Sequence, residues 1–470
     1  MNFQSSGFFL LVLLTLAWVL VFSGSATARK CGILAVSYYF YALFATWFAL
    51  LLMAYTVFFY AMAICLKRFN GAPAYKYLFF GALLLPLSAL GYLKYSAALI
   101  HAAISSFSFL SDGAVDLNIV APVGVSFFTF QGIAYLVDVH RGKTQPTRSF
   151  LDIAVFFGFF PSLLSGPINR FDGLNAQIRT GGAVSADRLS EGLYLTFRGF
   201  AKKIFFADIL AAQVVNPAFQ SPENFSSGFL ILAVYAYTMQ VYMDLSGYTD
   251  IARGVAKMLG FDLAENFKMP YSAVTLSEFW QRWHMSMSGF FRDYLFHGLG
   301  GSRTGNVYAN LLLTFVAIGV WHGAGINFVI YGLAHGSVVG IERYLRGRRT
   351  ERGLEPLSPR GFERLTRWFM IFNFVAFSRI LFRAPDLSAA LAFVAAIFKT
   401  NSPWPQGLTP VLSILAVSLA LHFVPASVHE AMVSRIRRGP AIWVSGVLLL
   451  ACLALMAGAQ GSAGFIYFKF

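Results

Sequence analysis

From Cys31 to Leu66 the chain carries no Asp, Glu, Lys, Arg or His. That run is too long for one helix, because about 20 residues suffice to cross a hydrocarbon core of ~30 Å. It is also too apolar for the surface of a soluble domain. Two helices meeting near Ala45-Thr46 fit it, and they return the chain to the basic pair Lys67-Arg68. The rest of the sequence agrees. Hydrophobic residues make up 57% and charged residues 12%, with 50 Phe and a mean hydropathy of +0.63. Ordinary soluble domains carry about 25% charged residues. This composition excludes a soluble enzyme, a disordered protein and a collagen-like fibre. It predicts an all-α polytopic membrane bundle, with residues 1–470 as a single integral-membrane domain.

The surplus of 36 Lys+Arg over 21 Asp+Glu gives a formal charge of +15. In a membrane protein this reads as the positive-inside pattern, not as affinity for nucleic acid. The clusters Arg29-Lys30, Lys67-Arg68-Lys76, Arg141-Lys143-Arg148, Arg343–Arg367 and Arg435–Arg438 are therefore expected on the cytoplasmic side. Residues 342–367 read as the largest cytoplasmic loop. The apolar stretch 8–22 is followed by Ala26-Thr27-Ala28, a cleavage-like triplet, but no basic residue precedes it, so it is expected to be a retained span. Further apolar stretches bring the expectation to about ten to twelve spans. Cys31, Cys65 and Cys452 sit apart and read as packing residues, with no disulfide framework or zinc site.

Residues 262–303 break the pattern, setting charges among Trp280, Trp283, Phe290, Phe291, Tyr294 and Phe296. A helix beginning at Ser277 after Pro270 would place Trp280, Trp283 and His284 on one face and pair Glu278 with Arg282. An amphipathic helix in the interface explains the aromatics and charges, though not the histidine among them. A second oddity is Gly319-Val320-Trp321-His322-Gly323-Ala324-Gly325, inside an apolar run. An ionisable residue at that depth normally faces a bundle interior or a watery cavity. Flanking glycines thin the wall around it, so that another backbone or a ligand approaches closely. His322 suits a general base or acid, and a packing role stands beside that reading. His335 reads as packing, and His101, His140, His297, His422 and His429 as interface or loop residues. Asp138, Asp208, Asp244 and Asp250 are the main intramembrane carboxylates, and Asp244 or Asp250 leaves a proton-coupled transporter open.

Other chemistries fail on residues. A P-loop ending in Gly142-Lys143-Thr144 would need glycine where Val137 stands. Gly298-Leu299-Gly300-Gly301-Ser302-Arg303 lacks the last glycine of a dinucleotide fingerprint. No HExxH or GxSxG occurs.

Taken together, the motifs resemble the membrane-bound O-acyltransferase family. They include Pro122-Val-Gly-Val-Ser126-Phe-Phe-Thr-Phe-Gln131, Tyr135-Leu-Val-Asp138, Ser165-Gly166-Pro167-Ile168 and Gln240-Val-Tyr242-Met-Asp244-Leu-Ser246. The most specific are Glu278-Phe-Trp280-Gln-Arg282-Trp283-His284-Met-Ser286, Phe291-Arg292-Asp293-Tyr294 and Trp321-His322-Gly323-Ala324. Phe382-Arg383-Ala384-Pro385 and the final Phe465–Phe470 complete the pattern. Gly300-Gly301-Ser302-Arg303 resembles the branch that acetylates bacterial exopolysaccharides such as alginate or cellulose. Ser165–Phe171 and Trp283–Ser286 are more similar to the teichoic-acid D-alanylation membrane protein.

The resemblance implies a helical bundle with re-entrant or interfacial helices around a central tunnel, in the bacterial inner membrane. It implies His322 as the catalytic histidine and His284 as the second. Trp280, Arg282, Trp283, Trp321, Gln131 and Asp244 are the implied substrate-binding residues, and no metal is implied. The implied reaction moves an acetyl group from a cytoplasmic donor, acetyl-CoA, toward an exopolysaccharide, with no bound cofactor. Periplasmic acetyltransferase- or esterase-like proteins and the polysaccharide synthesis and export machinery are the implied partners. D-alanyl transfer from a carrier protein is the alternative within the family. A non-catalytic scaffold or transporter is the alternative of another class.

Overall fold

The computed structural model describes residues 5–106, 121–355, 358–399, 404–458 and 466. The closing motif 465–470, apart from Ile466, and the side chain of His101 lie outside the described residues. Among the described residues there are helices and turns and no strand. The protein is an all-helical, multi-pass membrane protein. Among the described residues, four helices are long and apolar enough to cross a bilayer: Thr46–Arg68, Tyr75–Ser96, Ser227–Met258 and Gly361–Arg383. A fifth candidate is the pair Thr409–His422 and Ala426–Arg438, bent by 86°. Gly7–Val21, Val307–His322, Leu387–Lys399 and Trp443–Leu455 are shorter apolar helices. The apolar stretches predict about ten to twelve spans; in the structure several of those stretches form helices shorter than the ~20 residues of a simple span.

The chain forms two compact units. The first comprises Met1–Thr196, Ile251–Ala264 and Pro440–Leu449. Here the uncharged run divides as expected, into helices Ala26–Ala42 and Thr46–Arg68. Aromatic rings fill the interior: Phe8, Phe40, Phe59 and Phe128 are fully buried, and Phe59 stacks on Phe157 at 5.3 Å. Arg29 and Lys30 do not flank a span as a basic loop. They belong to the Ala26–Ala42 helix, where Lys30 is buried and paired with Asp152 at 2.6 Å. Arg29 donates to the carbonyls of Gly182 and Thr180. A cation in apolar surroundings persists only with such partners.

The second unit comprises Phe197–Asp250, Glu265–Gly439 and Leu450–Phe470. The expected long loop at 342–367 is mostly helix. Ile326–Glu351 carries the arginines from Arg343 to Arg349, and Gly361–Arg383 begins the next element. Arg and Glu are good helix formers, so their charge sets solvent exposure without breaking the helix. Ala426–Arg438 has no buried residue and carries Arg435, Arg437 and Arg438 in its last turn, as an interfacial helix does.

Candidate active site

The irregular segment folds through its own capping chemistry. Thr275 Oγ1 accepts from the Glu278 amide at 3.0 Å, so the helix is Leu276–Arg282 and starts before Ser277. The Glu342 carboxylate, from the Ile326–Glu351 helix, accepts from the amides of Leu276 and Ser277 and from Ser277 Oγ. An acid at a helix N-terminus satisfies donors that have no partner within the helix. Arg282 closes the helix, bound to Glu278 at 2.5 Å and to Ser272 Oγ at 2.7 Å.

The helix then ends, which corrects the expectation of one shared face for Trp280, Trp283 and His284. Trp283 is extended and His284 is left-handed, with φ 43° and ψ 56°. For a residue with a Cβ this costs roughly 1–2 kcal/mol. Asn266 holds the turn: its carbonyl accepts from the Met285 amide and its Oδ1 from the Ser286 amide, both at 2.9 Å. The strained position thus belongs to a buried histidine (1% exposed) next to Phe267 and Trp321. Backbone strain retained by surrounding bonds is characteristic of functional sites.

His322 is the last residue of the Val307–His322 helix. That helix lies against Ile326–Glu351 with backbones in contact. A Cβ on Gly319 would strike the Phe328 carbonyl oxygen, and one on Gly332 the Phe315 carbonyl. The glycines around His322 therefore do not leave empty room beside it, since the Phe328 ring fills the place of a Cβ on Gly323. They permit close helix approach instead.

His322 opens onto a cavity of about 420 Å³ including its mouth. Val241 and Leu245 of the Ser227–Met258 helix, Trp280 and Trp283 line it, together with Tyr331, Arg379, Phe382 and Ile466. Its wall is largely aromatic and aliphatic. The Phe382 ring meets the His322 ring edge-on at 4.7 Å. An imidazole at the edge of a largely apolar hollow suits proton transfer to or from a substrate hydroxyl.

Most of this site, all but Phe382 and Ile466 of the cavity wall, lies within a stretch shared with a known family. The model of the membrane-bound O-acyltransferase family matches residues 33–379. The chain belongs to the membrane-bound O-acyltransferase family. It is 38% identical to the probable alginate O-acetylase AlgI of Azotobacter vinelandii, over 84% of this chain and 77% of that protein. It is 30% identical to the peptidoglycan O-acetyltransferase of Helicobacter pylori, over 79% and 74%. Similarity to the teichoic acid D-alanyltransferase of Bacillus subtilis is 31% over 46% of this chain and 58% of that protein. The protein is thus an O-acyltransferase, as the motifs implied.

The structure distributes the sequence-derived site residues of this O-acyltransferase unevenly. His322, Trp280 and Trp283 line the cavity. Trp321 is buried beside both histidines, its ring 4.4 Å from His322 and 6.4 Å from His284. Arg282 is engaged by Glu278 and Ser272. Asp244 pairs with Lys203 at 2.6 Å and accepts from the Ile466 amide at 2.9 Å. Gln131 is buried in the Val125–His140 helix of the first unit. Among the described residues, no group of three His, Cys, Asp or Glu could hold a metal ion.

Sequence does not single out Arg379 or Tyr331; Phe382 stands only in the Phe382–Pro385 motif, and His335 reads as packing. Arg379, Tyr331 and Phe382 line the cavity, and His335 supports it. A single signal existed for Arg379, a cation inside the apolar run 367–398. His335 is more than packing. Trp280 Nε1 donates to His335 Nδ1 at 3.2 Å, so His335 carries its proton on Nε2 and donates it to Ser378 Oγ at 3.0 Å. Ser378 in turn donates to the Val375 carbonyl at 2.9 Å. The relay fixes the tautomer and holds a cavity wall. His422 is also no loop residue. It is buried, and its Nε2 accepts from the Tyr271 amide at 3.1 Å.

Proposed function

We propose that this protein moves an acetyl group from a cytoplasmic thioester donor, acetyl-CoA, across the bacterial inner membrane for O-acetylation of an exopolysaccharide. The observation that carries this reading is His322, an imidazole at the end of a helix, opening onto a small aromatic cavity. In this reading His322 takes the proton of the acceptor hydroxyl as its oxygen attacks the thioester carbonyl. His322 then returns the proton to the departing thiolate. A placed base supplies about 10²–10⁴-fold, and the apolar wall keeps water from the thioester. His284, Trp321 and Trp283 orient the reacting groups. Arginines exposed along the end of the Ile326–Glu351 helix suit a phosphorylated donor on the cytoplasmic side.

Names among the relatives support an acetyl group and a cell-envelope polysaccharide as acceptor. The cavity favours acetyl over D-alanyl on charge. Among the described residues lining it, the one fixed charge is the Arg379 guanidinium, and no carboxylate is present. A D-alanyl group would bring an ammonium into that setting without a counter-ion. The family match runs through segments of both units, which supports one acyltransferase over 1–470. Periplasmic acetyltransferase- or esterase-like proteins, as recipients of the acetyl group, and the polysaccharide synthesis and export machinery complete the proposal as partners.

The test is His322→Ala and His322→Gln in the native host. Acetyl content of secreted polysaccharide is read against the amount of folded membrane protein. Acetylation falls by about 10²–10⁴-fold, equivalent to roughly 3–5 kcal/mol of transition-state stabilisation. Near-normal acetylation in both variants overturns the reading.

A further inference from the structure

Arg379 is a buried cation that the mechanism above does not use. It belongs to the Gly361–Arg383 helix, long and apolar enough to cross a bilayer, and it is 4% exposed. Its guanidinium carbon lies 4.4 Å from the Trp283 ring centre and 5.4 Å from that of Tyr271. Nη1 makes one long hydrogen bond, 3.5 Å, to the Thr238 carbonyl. Nε has no acceptor, and among the described residues no carboxylate forms an ion pair with Arg379. A guanidinium has five N–H donors and never loses its charge here. Burying it with one weak bond and two aromatic faces leaves most of its donor capacity unused. That is costly unless something else accepts from it.

Its position says what that acceptor is. Arg379 and Phe382 lie one turn apart on the same helix, both line the cavity, and the Phe382 ring touches His322. The cation and the imidazole therefore serve one small space. We infer that Arg379 is a further catalytic residue, which binds the carbonyl oxygen of the acyl thioester and stabilises the negative charge that develops there. The inference rests on the reading of this cavity as the site of acyl transfer from a CoA thioester.

The step balances with groups already named. The acceptor hydroxyl gives its proton to His322, and its oxygen forms a bond to the carbonyl carbon. The carbonyl π pair moves onto the oxygen facing Arg379. When that pair returns, the carbon–sulfur bond breaks and the thiolate takes the proton from His322. Arg379 neither gains nor loses a proton. Stacked on Trp283, it is fixed before the reaction, so charge stabilisation needs no reorganisation.

Two non-reactive CoA probes separate this role from packing. Acetonyl-CoA keeps the carbonyl but lacks a cleavable thioester, and S-ethyl-CoA has no carbonyl. Binding of each is measured to the purified full-length chain in nanodiscs. Wild type prefers acetonyl-CoA by about tenfold or more, as expected for one hydrogen bond from a charged donor. Arg379→Gln abolishes that preference and leaves S-ethyl-CoA affinity within about twofold of wild type, and His322→Ala keeps the preference. An unchanged preference in Arg379→Gln overturns the inference and leaves the acyl-transfer reading standing. If wild type binds neither probe, the donor reading falls and takes the inference with it. Should Arg379→Gln bind neither probe, Arg379→Lys decides. A point charge that cannot both stack on Trp283 and reach the carbonyl loses most of the preference, and a fully retained preference overturns the inference.

Discussion

His335→Ala tests whether the cavity wall is held by the relay through Trp280. The substitution removes the acceptor of a buried indole N–H and the donor to Ser378. An unsatisfied buried donor costs about 1–3 kcal/mol. Deleting the ring also leaves a hole beside Tyr331 and Phe374, whose rings lie 4.2 and 5.0 Å from that of His335. Ser378 keeps its bond to Val375, so its loss is small. The expected destabilisation is about 2–4 kcal/mol in all. Transfer per folded molecule should fall by no more than about tenfold, because Trp280 loosens while the base and cavity persist. His335→Gln restores both contacts, its Oε1 accepting from Trp280 and its Nε2 donating to Ser378, and should recover most of the stability. The assay pairs thermal unfolding of the detergent-solubilised chain with polymer acetylation normalised to folded protein. A His335→Ala variant as stable as wild type refutes the relay. A per-molecule loss equal to that of His322→Ala refutes the assignment of His335 as a positioning residue.

Lys203 is 2% exposed at its side chain and faces both Asp244 and Asp208. Lys203→Met should cost about 3–5 kcal/mol in thermal unfolding, and adding Asp244→Asn should recover part of it. Gly332→Ala pushes a methyl into the backbone at Phe315 and Val316 and should cost about 1–3 kcal/mol with loss of acetylation, whereas Gly340→Ala, whose Cβ meets nothing nearer than Tyr308 at 3.7 Å, should be tolerated. At Asp262, burial works to raise the pKa, but Arg188 at 2.6 Å and Lys257 at 3.3 Å outweigh it and hold the group below its usual 3.8. A depressed carboxylate pKa adds stability above the unfolded value and loses it as pH falls through the folded one. Asp262→Asn should therefore be less stable than wild type near neutrality, by under about 1 kcal/mol at so exposed a site, and indistinguishable below the carboxylate range in a pH series of unfolding midpoints.

Several features of this protein were fixed locally and are legible in the residues alone. The uncharged run Cys31–Leu66 requires membrane helices whatever surrounds it, because hydrocarbon tolerates that length of apolar chain and water does not. Its division near Ala45 follows from helix length, and Ala26–Ala42 and Thr46–Arg68 meet it. His322 among glycines marked a buried ionisable group, since charge at membrane depth needs a functional or structural partner. The motifs around Trp280–Ser286 and Trp321–Gly323 carried the resemblance, and both lie inside the family match over 33–379.

Tertiary structure decided what depended on residues distant in sequence. Helical periodicity set Trp280, Trp283 and His284 on one face, but Asn266, far from them in sequence, accepts the amides that hold His284 in a left-handed turn. The expected basic loop became helix, and Glu342 on it caps the helix that carries Trp280. The Gly319 and Gly332 contacts exist only because two helix backbones meet. Arg379, Tyr331 and Phe382 reach His322 from other helices, and no spacing along the chain encodes that meeting. Periodicity reports which side of its own helix a residue occupies, while a cavity is made by what several helices place opposite one another.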